Sequence, residues 1–344
     1  MLGSYCVKSA FSILTGVGTL MNNVISNVIL DQEAIEILAA VKLAGIPEWH
    51  TLTPVEGRKV YQERVRLFAL EPTPMFAVDD LSIPGPGGQI KVRKYTPSQT
   101  KVMPVLIYLH GGGWTLGDLD SHDELCRRLA RTTDCIVVSV DYRLAPENPH
   151  PAGLEDSLAA INWVVENAES FGGDPRLLAV GGDSAGGQLS AAVCLRIRDE
   201  GGPQIALQLL IYPALRAAYE TLSYYENATE KWITRADCIW FWANYLGSTS
   251  NLDPYACPGE ADDLRGLPRA LIITAGGDPV RDDGEMYGFK LRAAGVRALS
   301  RRFPGMIHGF MAVPNELKAG REAVELAATE LRNAWDELST SLAR

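Results

Sequence analysis

The stretch Leu177-Leu-Ala-Val-Gly-Gly-Asp-Ser184-Ala-Gly-Gly-Gln-Leu189 constrains this chain more than any other. A short apolar run ends abruptly in small residues, and a helical pattern begins. Gly182-Asp183-Ser184-Ala185-Gly186 fits the pattern G-x-S-x-G. A serine at the tip of a tight strand-to-helix turn has a strained backbone, and neighbours with side chains would clash there. Glycine on both sides relieves the clash. The turn lifts the hydroxyl clear of the sheet, and the new helix points its unpaired N–H groups at the same spot. Gly-rich strand-to-helix turns also bind phosphate. The rest of the chain must therefore supply a base, an acid and an oxyanion hole before Ser184 reads as a nucleophile.

The surrounding sequence alternates. Residues 78–83 and 90–95 read as strands joined by a Pro- and Gly-rich turn over 84–88. Strands at 105–109, 136–140, 177–181, 205–212, 270–274 and 298–303 follow. Helices at 123–131, 154–169, 185–198, 284–294 and 316–338 separate or follow them. Apolar strands alternating with helices predict an α/β fold with a mostly parallel sheet covered on both faces. Two helical patterns, 31–44 and 55–68, precede the alternation and read as an N-terminal cap. In the first, Asp31 can cap the helix, Ile35, Leu38 and Val41 form the apolar stripe, and Gly45 with Pro47 stops it. The alternation pauses over 215–253, where Tyr219, Tyr224, Tyr225, Trp232, Trp240, Phe241, Trp242 and Tyr245 gather. Either a helix packs these aromatics inward, or the segment lies over the sheet's C-terminal edge as an aromatic pocket wall. The expected organisation is an extension and helical cap over 1–76, a catalytic core over 77–214 and 254–344, and a second cap segment over 215–253.

A chain of 344 residues, 47% hydrophobic and 22% charged, suits a large soluble domain, or one domain with an appended cap. The formal net charge of -10 argues against a nucleic-acid partner, which needs clustered Lys and Arg, and it repels anionic membranes and substrates. Cys6, Cys126, Cys135, Cys194, Cys238 and Cys257 show no C-x-x-C pairing. That argues against zinc or a disulfide framework and for a reducing cytoplasm. No apolar run reaches the roughly 20 residues that span a bilayer, so stable membrane insertion is not expected. Residues 1–20 read as a faint signal peptide, an extended start before Met21, or an interfacial segment.

His110-Gly-Gly-Gly-Trp114 directly follows the strand at 105–109. Consecutive glycines let the backbone aim its amides at a developing O⁻ and keep side chains out of the substrate's way. A flexible surface loop has the same composition, but not this place after a central strand. Of the five histidines, His308 follows the final strand, where a loop can lean over the turn at Ser184. His50 lies in the cap, and His122 and His150 read as surface or packing residues. The acid is expected between Ser184 and His308. Asp278 stands at the end of the strand at 270–274, while Asp282 and Asp283 open the next helix, where they complement its dipole.

Gly182-Asp-Ser-Ala-Gly-Gly187, His110-Gly-Gly-Gly-Trp114, Asp141-Tyr-Arg-Leu-Ala-Pro-Glu147, Asp278-Pro-Val-Arg-Asp282 and His308-Gly-Phe310 together resemble the bacterial hormone-sensitive-lipase family of α/β-hydrolases, in its GDSAG branch. The likeness covers roughly residue 78 to the C-terminus, with Val280 where the family often has leucine. It implies Ser184 as nucleophile, His308 as base and Asp278 as its partner. It also implies an oxyanion hole from the N–H groups of Gly112, Gly113 and Ala185. Residues 142–147 are implied to lie beneath the oxyanion loop, and Asp183 and Glu155 to be hydrogen-bonding scaffold.

The expected activity is hydrolysis of short- to medium-chain esters through an acyl-enzyme, on a small-molecule substrate, with no metal or cofactor. Trp114, Trp232 and Phe310 are the candidates for substrate contact. An amidase or formamidase on the same triad is the alternative. A non-catalytic ligand receptor would be expected to have lost a triad member, and all are present. A homodimer is compatible with the sequence.

Overall fold

A computed structural model describes residues 28–69, 71–99, 102–247, 253–312 and 317–343. The ambiguous start over 1–20 lies outside the described residues. The strands are β1 (Ala77–Gly85), β2 (Gly88–Thr96), β3 (Met103–Leu109), β4 (Ile136–Asp141), β5 (Gly173–Asp183), β6 (Ile205–Ile211), β7 (Arg269–Gly277) and β8 (Ala298–Ile307). They form one eight-stranded sheet in the order β1-β2-β4-β3-β5-β6-β7-β8. The β1–β2 hairpin is antiparallel and joins β4 antiparallel; every other pairing is parallel. The described helices of eight or more residues are α1 (Gln32–Leu43), α2 (Pro54–Leu67), α3 (Asp123–Thr133), α4 (Ala152–Asn167), α5 (Ala185–Glu200), α7 (Arg235–Leu246), α8 (Arg281–Ala293) and α9 (Lys318–Leu342); the short α6 is Leu222–Glu226.

Side-chain alternation along the central strand builds two cores at once. Val105, Ile107 and Leu109 of β3 face one cluster with Leu154, Leu189 and Leu291 of α4, α5 and α8. Leu106 and Tyr108 face the other, with Leu129 of α3 and Leu331 of α9. This is the mostly parallel sheet covered on both faces that the alternation predicts, in the α/β-hydrolase arrangement that the resemblance implies. No described helix is long and apolar enough to cross a membrane.

β8 runs past the expected end at Phe303, through Pro304 and Gly305, to Ile307. It lies at the sheet's edge, where a missing proline N–H leaves no ladder partner unpaired. On its open side the Asp31 N–H donates to the Gly305 carbonyl at 2.9 Å. Asp31 does precede α1, but its side chain makes no capping bond. The expected stripe is also corrected. Ala34 and Ile37 are the buried residues and Ile35 is exposed, because α1 leans on the flank of β8 through its small residue.

Caps fix the two helices that meet above the sheet. Thr53 and Glu56 form a capping box at α2, with Pro54 in the first turn. Thr234 and Asp237 form another at α7. Asp237 also accepts from the His50 N–H at 2.9 Å, so one carboxylate ends α7 and holds the loop before α2. Both readings of the aromatic segment hold in part. Tyr224 and Tyr245 are core residues, while Trp232, Phe241 and Trp242 line a cavity at the C-terminal ends of the strands.

Candidate active site

Ser184 sits between β5 and α5 at φ 55°, ψ −118°, a backbone conformation that L-residues rarely adopt. The turn is held by the Ser184 N–H donating to the Ile211 carbonyl at 2.8 Å. Gly186 is dictated by close approach: a Cβ there would lie 1.8 Å from the Leu109 carbonyl oxygen. The glycine lets α5 begin hard against the end of β3. That brings Ser184 beside the loop that leaves β3.

His308 follows β8 directly. Its Nε2 is 2.8 Å from Ser184 Oγ and its Nδ1 is 2.8 Å from Asp278 Oδ2. Asp278 is fully buried just beyond β7, and its Oδ1 accepts from the Val280 N–H at 3.0 Å. With Asp278 ionised, Nδ1 carries the proton and Nε2 is left to accept one from the serine. The turn that presents Asp278 is braced from the 215–253 segment. Asn227 Nδ2 donates to the carbonyls of Gly276 and Asp278 at 3.3 and 3.2 Å, and Ser223 Oγ donates to the Pro279 carbonyl at 2.6 Å. Neither brace was legible in sequence, because an Asn and a Ser in an aromatic-rich stretch carry no motif.

The loop after β3 is tied to the turn at Ser184 by Asp183. Its carboxylate accepts from Tyr108 Oη at 2.8 Å and from the Gly111 N–H at 3.0 Å, and it lies beside His122 Nε2. Burial alone would raise the Asp183 carboxyl; His122 and the Tyr108 hydroxyl outweigh it and hold the group below the usual range. Asp183 is thus the scaffold carboxylate that the resemblance implies. His110 stacks on Tyr142 at 4.3 Å, and burial pushes its imidazole down to about 4, so it is neutral at pH 7. Tyr142 Oη donates to the His110 carbonyl from below, at 2.7 Å. The N–H groups of Gly112 and Gly113 have no acceptor among the described residues, and Ala185 opens α5, where no helical carbonyl is available. Gly112, Gly113 and Ala185 all line the cavity that holds Ser184 and His308.

That cavity has a volume of about 270 Å³. Trp114 and Trp232 line it; Trp114 is stacked on Tyr245 and donates its Nε1–H to Gln188 Oε1 at 2.8 Å. Phe310 does not. It is fully buried against Tyr212 and Phe303, because the turn after His308 folds it back into the core under α9. Glu155 is exposed, and the scaffold role belongs to its neighbour Asp156, which grips Arg143 with both oxygens at 2.8 Å.

Asp282 stands in the first turn of α8, and its carboxylate accepts from the Ser223 N–H in the first turn of α6 at 2.9 Å. Asp283 differs from expectation. It is buried beside Tyr224 Oη, and burial pushes its carboxyl well above the ordinary value of 3.8. An acid whose pKa is higher folded than unfolded binds more protons in the folded state, so its contribution falls as pH rises above the unfolded value. Asp283→Asn is therefore expected to raise Tm at pH 8, with the gain shrinking toward pH 4. Paired melting curves at the two pH values check this, and a loss of Tm at pH 8 would contradict it.

A family model described as alpha/beta hydrolase fold matches residues 106–312. The chain is 48% identical over 249 residues to the carboxylic ester hydrolase LipN of Mycobacterium tuberculosis, covering 70% of this chain and 66% of that one. It is 42% identical over 293 residues to the carboxylesterase NlhH of the same species, covering 83% of this chain and 92% of that one. Among solved structures, an ester hydrolase from the Lake Arreo metagenome is similar with a TM-score of 0.85 at 38% identity, over 90% of this chain and 100% of that one. A hyperthermophilic esterase of the archaeon Pyrobaculum calidifontis gives 0.83 at 39% identity, over 89% and 98%. Likeness at this level spans the sheet, the turn at Ser184 and the loop at His110 alike, and the chain belongs to the α/β-hydrolases, in the hormone-sensitive-lipase family of bacterial carboxylesterases.

Proposed function

We propose that Ser184, His308 and Asp278 carry out the ester hydrolysis of this carboxylesterase through an acyl-enzyme. The observation that carries the reading is His308 lying 2.8 Å from both Ser184 Oγ and Asp278 Oδ2. His308 Nε2 takes the hydroxyl proton as Ser184 Oγ attacks the ester carbonyl carbon. The N–H groups of Gly112, Gly113 and Ala185 stabilise the oxyanion as it forms. The imidazolium returns the proton to the leaving alkoxide, and Asp278 stabilises the imidazolium meanwhile. Water, deprotonated by His308, then releases the acid and restores Ser184.

The pocket supports small substrates. Its volume of about 270 Å³ lies at the lower end of ligand pockets, which run to about 1,000 Å³, and Phe241 and Trp242 wall it from above. Acyl chains of about two to eight carbons are therefore expected to give the highest kcat/KM. A chain-length panel of p-nitrophenyl esters with one matched anilide tests this. Rapid turnover of long-chain triglyceride emulsions would contradict the pocket reading, and faster anilide than ester cleavage would favour an amidase. The buried thiols of Cys126, Cys135 and Cys194 suit a reducing compartment, and we place the enzyme in the cytoplasm.

A further inference from the structure

We propose that Arg64 and Trp232 form an anion subsite in the catalytic cavity, so that this esterase takes esters bearing a carboxylate remote from the scissile bond. The proposal rests on the reading of Ser184, His308 and Asp278 given above.

Arg64 projects from α2 into the cavity that also holds Ser184. It is 4% exposed. Its guanidinium carbon lies 3.1 Å from the centroid of the Trp232 ring and 5.1 Å from that of Trp49. One nitrogen donates to the Trp232 carbonyl at 3.3 Å, and the buried Nε has no hydrogen-bond partner. Among the described residues no carboxylate pairs with Arg64. It is also the one Lys or Arg among the described lining residues.

The carboxylates that share the cavity are committed elsewhere. Asp120 accepts from Arg93, Asp123 from Arg93 and Arg127, Glu124 from Thr73, and Asp183 from Tyr108 and Gly111. Burial pushes the Arg64 guanidinium down, and Tyr61 and Asp237 recover only part of that. The protein thus keeps a desolvated cation short of acceptors in a cavity built for substrate. Such a group costs stability unless a ligand supplies the counter-charge. Stacking on Trp232 offsets some of the cost and fixes the plane of the guanidinium. A planar fork with spare N–H donors matches a carboxylate. The net charge of -10 repels anions at long range, so capture here is local and acts on KM.

Two substrate pairs separate the sides on which the anion could sit. Monoethyl adipate against ethyl hexanoate places it on the acyl side. 4-Acetoxybutanoate against butyl acetate places it on the alcohol side. Acid release is followed at pH 8 for the wild type, Arg64→Met and Arg64→Lys. In one pair, Arg64→Met is expected to lower kcat/KM for the anionic member about 10- to 100-fold, the range of a charge-assisted hydrogen bond, through KM. The neutral member stays essentially unchanged, and Arg64→Lys loses less. An anionic-to-neutral ratio that Arg64→Met does not lower in either pair overturns the proposal. Equal losses on both members, the mark of an arginine that merely holds the two cap segments together, give that result too. If Arg64→Met does not fold, the ratio for Arg64→Lys decides in the same way: it falls in one pair, or the proposal is overturned. No turnover of ethyl hexanoate or butyl acetate by the wild type would instead refute the esterase reading itself.

Discussion

Ser184→Ala is expected to leave a folded protein whose kcat on p-nitrophenyl butyrate is lower by roughly 10⁶, the scale at which a serine hydrolase loses its nucleophile. The fold should not notice the change. The strained φ of 55° is imposed by the Ser184 N–H bond to the Ile211 carbonyl and by the packing of Gly186 under Leu109, and alanine leaves both in place. What is lost is the one oxygen that His308 Nε2 faces at 2.8 Å. Circular dichroism and single-turnover kinetics on the variant check the two halves of this statement. In the wild type, an organophosphate should label Ser184 alone. A label on another serine, or a variant that keeps most of its activity, removes Ser184 from the role of nucleophile.

Asp278→Asn is expected to lower kcat by roughly 10³ to 10⁴, as when a serine hydrolase loses its orienting carboxylate. Asp278 Oδ1 is occupied by the Val280 N–H at 3.0 Å, so an asparagine keeps its carbonyl there and turns its NH₂ toward His308. Nδ1 must then accept, Nε2 carries the proton, and the ring cannot take one from Ser184. Asp282→Asn and Asp283→Asn should keep kcat, since Asp282 accepts from Ser223 and Asp283 lies beside Tyr224. Measuring kcat for all three at pH 8 settles the assignment. Activity retained by Asp278→Asn and lost in either neighbour would move the role.

Much of the fold was legible because strands and turns are local. The alternation over 105–212 was read from residues adjacent in the chain, and so was the turn at Ser184. The juxtaposition of Ser184, His308 and Asp278 was legible for a related reason: each follows the C-terminal end of a strand. Where the reading failed, the deciding contact was remote. Phe310 looked like a pocket residue from its place beside His308, but Tyr212 and Phe303 draw it inward. Glu155 and Asp156 are adjacent carboxylates, and only the position of Arg143 tells them apart. Asp283 looked like a helix-start acid until Tyr224 covered it. Arg64 was the least visible. Its partner Trp232 is 168 residues away, and one arginine among several on a charged helix reads as solvated surface.

The strand order has a consequence for how such a chain can be made. After β4, the strands β5, β6, β7 and β8 lie side by side in the order in which a ribosome releases them. β5 docks on β3 and each later strand on the one before it, so the sheet grows outward from β3. The serine turn and its glycine-rich loop are in place once β6 has supplied the Ile211 carbonyl, but the histidine arrives with the final strand. A nascent chain therefore carries an idle hydroxyl until the last strand docks. The border left by that strand meets backbone synthesised before β1, where the Asp31 N–H donates to the Gly305 carbonyl. Backbone made before any of the strands helps to seal the last of them, and an open border is what invites strands of other molecules to pair.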